Sequence, residues 1–459
     1  MPLSDNKVNE QNKNEIAVEL HPEFTARLRE VLSEDELQEF MLALSRPPVR
    51  MARLNPVKPV PIEKIRAEIL SSSLLLSTDA KPKIAPLHHA GAYYVQDPSA
   101  TLPANELIPL LPEGARVLDM CAAPGGKVTA VAAARPDCTF VANEIDFSRA
   151  KILLSNIERL GLRNCTVTSL RPDEIASKCA GLFDAVIADV PCSGEGMIRK
   201  VALTNAEQSD VSVAACITRA EKILFECDRA LKRGGLLAFS TCTLNRGENE
   251  DQVRKLLGRG YETVPPAFRP PHAKSGVDLP DATRIIPCEH GEGHFFCLLR
   301  KCGEYVTRLN SVSGKKIKES SSDRVKKLEA KKLLEQITRE DFPIDRITIV
   351  GEGCELLPPD YPYFMLPALR RGVRLCDYVS SRAVPHHHFA TAANPDLLID
   401  SPDYDPICEI VRSYLAGEEI GCEVSNGYRV LRTQGITLGL IKVSGGRAKN
   451  HYPKGLRVK

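Results

Sequence analysis

Three short apolar runs in the middle of the chain end abruptly in turn residues. Val117-Leu118 precede Asp119 and the turn Pro124-Gly125-Gly126. Phe183 to Asp189 is almost continuously apolar, as a strand covered on both faces should be, and closes at Val190-Pro191-Cys192-Ser193-Gly194. Leu236 to Ser240 follows the turn Arg233-Gly234-Gly235 and closes at Thr241-Cys242-Thr243. Between these runs the spacing predicts helices over Lys127–Ala134, Ser148–Leu160 and Val211–Leu231, and further strands over Thr139–Ala142 and Cys165–Thr168. Such alternation predicts an α/β fold with a doubly wound, mostly parallel sheet, whose final strand is His294–Arg300.

The flanks read differently. From Phe24 to Leu44, Leu28, Val31, Leu32, Leu37, Phe40, Met41 and Leu44 recur at helical spacing, and Pro47-Pro48 stops the run. Strands at Val49–Leu54 and Ala92–Val95 with a helix at Ile62–Leu74 make a small α+β cap, and Asp97-Pro98-Ser99-Ala100 opens a helix towards Leu111. Beyond Cys302 the chain turns basic: Lys315 to Arg339 holds nine Lys or Arg against four acidic residues, which predicts a charged linker or a solvated helix. Strands at Asp345–Ile349, Gly372–Leu375, Tyr428–Arg432 and Ile436–Val443 then predict a small mixed or all-β domain. The expected division is a disordered N-terminus (1–18), a cap (19–100), a central α/β domain (101–302), a charged linker (303–340) and a C-terminal domain (341–459).

Composition narrows the function classes. A chain of 459 residues exceeds one ordinary core. No run approaches the roughly 18 apolar residues of a membrane span, and the polar start shows no signal peptide, so a cytoplasmic protein without a membrane partner is expected. Fifteen cysteines, an odd number with no Cys-x-x-Cys pair, argue for free thiols and against a disulfide framework or a metal site. A net charge of only +2 means that any nucleic-acid surface is local, as in the acid-free basic segment Arg447–Lys459.

The candidate chemistry sits where ligands bind in such sheets, beyond the carboxyl ends of the strands. The turn from Cys121 through Ala122, Ala123, Pro124, Gly125 and Gly126 to Lys127 lacks both the full dinucleotide fingerprint and the Gly-Lys-Ser/Thr of a phosphate loop. Glu144 follows the next strand. It is either a helix cap or a ribose-gripping carboxylate, and the preceding glycine turn favours ribose and hence an adenosine-bearing cofactor. Thirteen cysteines read as inert small hydrophobes. Cys192 and Cys242 each occupy a turn at the ligand end of a predicted central strand, and Asp189, three residues before Cys192, shares that cleft as a capping residue or a proton carrier. Two thiols and an acid beside such a cofactor suggest covalent catalysis.

Asp119–Lys127, Asp189–Lys200 and Ser240–Glu250, long motifs in matching order and spacing, strongly resemble the Sun-type family of RNA 5-methylcytosine methyltransferases, nearest its bacterial ribosomal small subunit methyltransferase F branch. The resemblance extends to Tyr93–Ala100 and to Lys449–Arg457. It implies a class I S-adenosylmethionine-dependent methyltransferase fold with a C-terminal RNA-binding domain, acting as a monomer on RNA, ribosomal RNA ahead of transfer RNA, with no metal. By position it implies Cys242 as the nucleophile at carbon 6 of cytosine, and Cys192 as the residue that helps to remove the carbon-5 proton and release the enzyme. Asp189 would serve nitrogen 3, with Lys127 positioning it. The same positions imply S-adenosylmethionine held by Cys121–Lys127, Glu144 and Asp189. An acidic residue common at the end of the third strand, on the adenine side of the cofactor, aligns with Arg171, with Asp173 two residues on, so Arg171 or Asp173 is expected to contact the cofactor there. The tryptophan usual before the terminal basic segment is replaced by Leu440-Ile441. Two rivals remain: a non-catalytic RNA-binding assembly factor, which intact Asp189, Cys192 and Cys242 disfavour, and a nitrogen methyltransferase, whose Asn/Asp-Pro-Pro-aromatic turn is absent here.

Overall fold

In a computed structural model the described residues are 20–70, 74–77, 80–200, 207–303, 320–359, 361 and 366–458; the disorder expected of 1–18 lies outside them. The N-terminal part contains a two-stranded antiparallel sheet of β1 (Met51–Leu54) and β2 (Tyr93–Gln96). The run expected as one helix is two, Pro22–Arg29 and Glu34–Leu44. Ser33 caps the second by accepting from the Glu36 amide while Glu36 accepts from the Ser33 amide, so the polar box breaks a pattern that hydrophobic spacing alone would continue. The two helices close on each other through Phe24 and Phe40, and their cluster includes Leu244 of the central domain. The helix expected to reach Leu74 stops at Ile69, where Leu70 turns extended and bridges to Leu76. Towards Leu111, Pro103 and Pro109 divide the chain into 3-10, α (Leu102–Leu107) and 3-10 segments.

The central sheet has nine strands: β3 (Arg116–Asp119), β4 (Thr139–Asn143), β5 (Cys165–Thr168), β6 (Phe183–Asp189), β7 (Leu231–Thr241), β8 (Tyr261–Val264), β9 (Ala273–Gly276), β10 (Leu279–Ile285) and β11 (His294–Lys301). Their order is β5-β4-β3-β6-β7-β11-β10-β9, with β8 also on β11. The first five pair in parallel, and β8 to β11 add antiparallel. The fold class is therefore the α/β, doubly wound, mostly parallel sheet that the alternation predicts. The hairpin strands β9 and β10 carry too weak an apolar alternation to announce themselves. Val117 joins one apolar layer with Val131 and Leu153, and its neighbour Leu118 joins the other with Leu224 and Phe239, which is the period-2 consequence of helices on both faces. The order of strand addition reverses between the parallel neighbours β3 and β6, with β4 and β5 laid down on one side and β6 and β7 on the other, so the ligand crevice of such sheets opens between their carboxyl ends.

The segment read as charged linker contains a helix, Ser321–Leu334, whose Ala330 and Leu334 are buried against the C-terminal strands while its charges face outwards. Those strands form two sheets: antiparallel β12 (Ile347–Val350), β13 (Gly353–Leu356), β14 (Val373–Val379) and β15 (Arg382–Pro385), and then β16 (Asp403–Tyr404), β17 (Ile420–Gly421), β18 (Gly427–Thr433), β19 (Ile436–Ser444) and β20 (Arg447–Asn450). The C-terminal region is fastened to the rest. Val167 of β5 exchanges backbone hydrogen bonds with Leu369 and Arg370, and Arg370 pairs with Glu158 at 2.7 Å. Buried Lys58 of the cap donates to the carbonyls of Ala90, Arg159 and Thr437 at 2.8–3.3 Å, joining cap, central domain and C-terminal sheet. No helix among the described residues is long and apolar enough to cross a membrane.

Candidate active site

Strands β6 and β7 run side by side with Asp189 opposite Ser240, so the turns after them emerge together. That register brings the Sγ atoms of Cys192 and Cys242 to 3.3 Å, and the Cys242 amide donates to the Cys192 sulfur at 3.4 Å. Beside them the Lys127 ammonium lies 2.7 Å from the Asp189 carboxylate, whose other oxygen accepts from the Ser240 hydroxyl at 2.8 Å. Burial raises the Asp189 pKa, but Lys127 outweighs it and holds the carboxyl below its ordinary value. Burial likewise depresses Lys127, and Asp189 with Cys242 more than restores it, so this pair is ionised. The hydrogen bond that the Cys192 thiol makes with the Cys242 sulfur, then burial and nearby Glu248, push Cys192 well above its ordinary value, so Cys192 is protonated.

Two buried glutamates clamp the cysteine turns to each other. Glu248 accepts from the amide and hydroxyl of Ser193 and from the Asn245 side chain. Glu195 accepts from the Thr243 hydroxyl, the amides of Leu244 and Asn245, and the Asn245 side chain, and it pairs with Arg27 of the first helix at 2.8 Å. The Ser193 and Thr243 hydroxyls meet directly at 2.7 Å. Both glutamates stand inside the quoted motifs, yet sequence reasoning assigned them nothing. Arg27 carries no sequence signal, because its partner is 168 positions away.

The turn Cys121–Lys127 lies at the carboxyl end of β3, with Gly125 in the left-handed region (φ 114°) as it enters the helix Gly126–Ala134. It is tied to β4 by the Ala122 amide on the Asn143 carbonyl and by Arg149, which donates to the Ala123 carbonyl and pairs with Glu144 at 3.3 Å. The helix after β4 is capped by Asp146, which accepts from the Arg149 amide, so the capping reading of Glu144 does not describe it; Glu144 is buried and accepts from the Asp146 amide. Asp119, at the end of β3, is buried with one carboxyl oxygen unpartnered. Burial, then Asp189, pushes it up to about 8, so it is protonated near neutrality, a role the sequence did not single out. The Cys121 thiol is raised well above its ordinary value by burial and is inert. Arg171 stands apart: its guanidinium is exposed and bonded to Asp173 at 3.1 Å, at the start of the helix Pro172–Lys178.

His294, first residue of β11, completes the wall. It is buried, its Nδ1 has no partner, and burial, then Lys127, lowers it to about 4, leaving it neutral. Asp97 joins this wall by accepting from Lys200 at 2.9 Å and from the Glu292 amide at 3.1 Å.

A glycine turn into a helix N-terminus, an unpartnered carboxyl at Asp119 and a buried carboxylate at Glu144 suit the amino-acid and ribose parts of S-adenosylmethionine. Fold and site together define a class I S-adenosylmethionine-dependent methyltransferase. The family model described as 16S rRNA methyltransferase RsmB/F matches residues 108–300, and that described as methyltransferase RsmF PUA domain matches 408–458. A ribosomal RNA small subunit methyltransferase F from Cronobacter sakazakii is 30% identical over 463 residues, covering 92% of each chain, and one from Vibrio cholerae is 28% identical, covering 96% of this chain and 98% of the relative. The protein belongs to the RsmB/F methyltransferase family. Among solved structures, NSun6 from Pyrococcus horikoshii shares the fold with a TM-score of 0.54 at 19% identity, over 62% of this chain and 98% of that one. A methyltransferase homolog protein from Pyrococcus horikoshii does so with 0.52 at 24%, over 61% and 94%.

Proposed function

We propose that the protein methylates carbon 5 of a cytosine in RNA, specifically small-subunit ribosomal RNA, through a covalent adduct between Cys242 and the base. The observation that carries this reading is the pair of cysteine sulfurs 3.3 Å apart, beside an ionised Lys127–Asp189 pair, at the ends of adjacent parallel strands. Family membership and the RNA named for the relatives support the substrate. The region 341–459 holds the RNA, and 101–302 carries the chemistry.

Carbon 5 of cytosine is a weak nucleophile, and conjugate addition of a thiol, with sulfur on carbon 6 and the proton on nitrogen 3, converts it into an enamine carbon. The Cys242 sulfur bonds to carbon 6, its proton passes to the Asp189 carboxylate and on to nitrogen 3, and the displaced π electrons enrich carbon 5. Asp189 can accept that proton because Lys127 keeps it ionised beforehand. Bound S-adenosylmethionine supplies an electrophilic methyl group to that carbon. Elimination then needs a base for the carbon-5 proton. The largest cause holding Cys192 protonated is its hydrogen bond with Cys242, and the adduct removes that bond, so Cys192 becomes more acidic when its thiolate is required. Cys192 gives up its thiol proton to water, and its thiolate takes the carbon-5 proton. The sulfur–carbon-6 bond breaks with its electron pair going to Cys242, and nitrogen 3 returns its proton through Asp189 to the Cys242 thiolate as the ring double bond re-forms. The target base has to leave its stack, at a cost of roughly a few kcal/mol.

The test is radiolabelled S-adenosylmethionine with RNA from a host lacking such enzymes, followed by identification of the labelled nucleoside. Label in 5-methylcytidine that vanishes in Cys242→Ala supports the reading; label in another nucleoside, or none in free RNA or assembled subunits, overturns it.

A further inference from the structure

A cavity of about 300 Å³ lies outside the cysteine cleft, between the segment opening at Pro98 and the loop leading into β9. Its size falls at the lower end of small-molecule sites, roughly 300–1,000 Å³, and suits one planar heterocycle. One wall includes Ser99, whose hydroxyl is packed away against Gly291. Another holds the Asn105 side chain, which can both donate and accept. The mouth is aromatic: Phe268 is 62% exposed, and the His272 and His290 rings stand 4.8 Å apart at 39°. Burial and then His290 lower the His272 pKa, which favours a neutral, stacking imidazole at His272.

The pocket is built and connected. Buried Glu106 accepts from the amides of Ala267 and Phe268, which pins the aromatic loop to the helix Leu102–Leu107. A line of backbone and carboxylate hydrogen bonds leads from it to the nucleophile's turn: Ser99 amide to Asp97, Glu292 amide to Asp97, Gly293 amide to the Gly196 carbonyl, and Gly196 amide to the Cys242 carbonyl. Lys200 pairs with Asp97 at 2.9 Å and so braces the start of this line. Exposed aromatic rings beside an amide side chain that can donate and accept are what an unstacked base of single-stranded RNA engages.

We infer that this cavity is a second base subsite, which takes a nucleobase flanking the target cytosine and stacks it on Phe268 and His272, so that RNA is held splayed at two points. The inference rests on the RNA-methyltransferase reading above. The same heterocycle could arrive as a free nucleotide, and the experiment separates the two sources.

Small-subunit ribosomal RNA transcribed with 4-thiouridine is photo-crosslinked to the full-length protein, and the attached peptides are mapped, with and without excess adenosine and cytidine monophosphates. Methylation kinetics are measured in parallel for wild type, Phe268→Ala, Phe268→Tyr and His272→Ala. The expected result is a crosslink within 267–272 that mononucleotides do not displace. A rise of about tenfold in KM for RNA should accompany Phe268→Ala, since stacking one base on an aromatic ring contributes roughly that factor or more, with kcat nearly constant and Phe268→Tyr close to wild type. Unchanged KM in folded variants, no crosslink in 267–272, or displacement by mononucleotides overturns the subsite. Absence of any 5-methylcytidine with wild type overturns the methylation reading instead, while the crosslink still reports on the pocket.

Discussion

Cys192 and Cys242 are fifty positions apart in sequence, yet the amide of one donates to the sulfur of the other at 3.4 Å while their sulfurs stand 3.3 Å apart. Cys242→Ala should therefore abolish methylation, and Cys192→Ala should let the adduct form but delay its release. Denaturing electrophoresis with labelled RNA reads this directly: a retarded protein–RNA band with Cys192→Ala and none with Cys242→Ala. The reverse assignment would exchange the two lanes.

Lys127 outweighs burial at Asp189. In Lys127→Met only the Ser240 hydrogen bond and His294 would remain to oppose burial, so the Asp189 pKa should rise and the acid limb of kcat/KM against pH should move upwards. In wild type the folded pKa lies below the ordinary 3.8, so the pair's stability is present above that value and is lost as pH falls through the folded pKa. In the variant the folded pKa moves up towards or past the ordinary value, so this gain of stability above pH 3.8 shrinks or is lost. A pH–rate profile unmoved by the substitution would contradict the pairing.

Glu144 is a buried carboxylate at the end of β4, and a charged hydrogen bond contributes about 1.5–3 kcal/mol. Glu144→Ala should weaken S-adenosylmethionine binding roughly ten- to hundredfold by titration calorimetry, without preventing RNA binding. Arg171→Ala, exposed and bonded only to Asp173 and Glu174, should change cofactor affinity little.

Arg27→Ala should cost about 3 kcal/mol, because a nearly buried ion pair loses one partner. Glu195 would keep its bonds from Thr243, Leu244 and Asn245. Urea unfolding should register the loss, and kcat should fall with it, since the clamp on the Cys242 turn slackens. Full activity in a destabilised variant would separate the clamp from catalysis.

Lys58 is fully buried, and burial, then Arg159, lowers its pKa from 10.5 to about 7. Above pH 7 the unfolded chain holds that proton and the folded chain does not, so folding should gain stability as pH rises from 7 towards 10, by up to roughly a few kcal/mol. Lys58→Met should flatten this slope, which urea midpoints at pH 7 and 9 would show.

The parallel sheet was legible because β3, β4, β5, β6 and β7 are short apolar runs closed by turn residues, a signal that both faces of a buried strand must leave. The two cysteines were legible for the same reason, each standing where such a run stops. The break at Ser33 was not, since hydrophobic spacing continues across it and only the reciprocal bonds with Glu36 reveal the cap. The docking of Ser321–Leu334 hung on Ala330 and Leu334, too few apolar positions to stand out among its charges. Asp119, His294 and the Arg27–Glu195 pair depend on burial and on contacts distant in sequence, which no local pattern records.

The buried Lys58 side chain rivets three segments at one point, and the Arg370–Glu158 pair fixes a second. Two rivets on either side of a joint leave it no hinge. The C-terminal sheets and the cysteine cleft thus behave as the jaws of a locked caliper. An RNA gripped at its far end must present its cytosine at one set reach, so target choice becomes a matter of span as well as of the base itself.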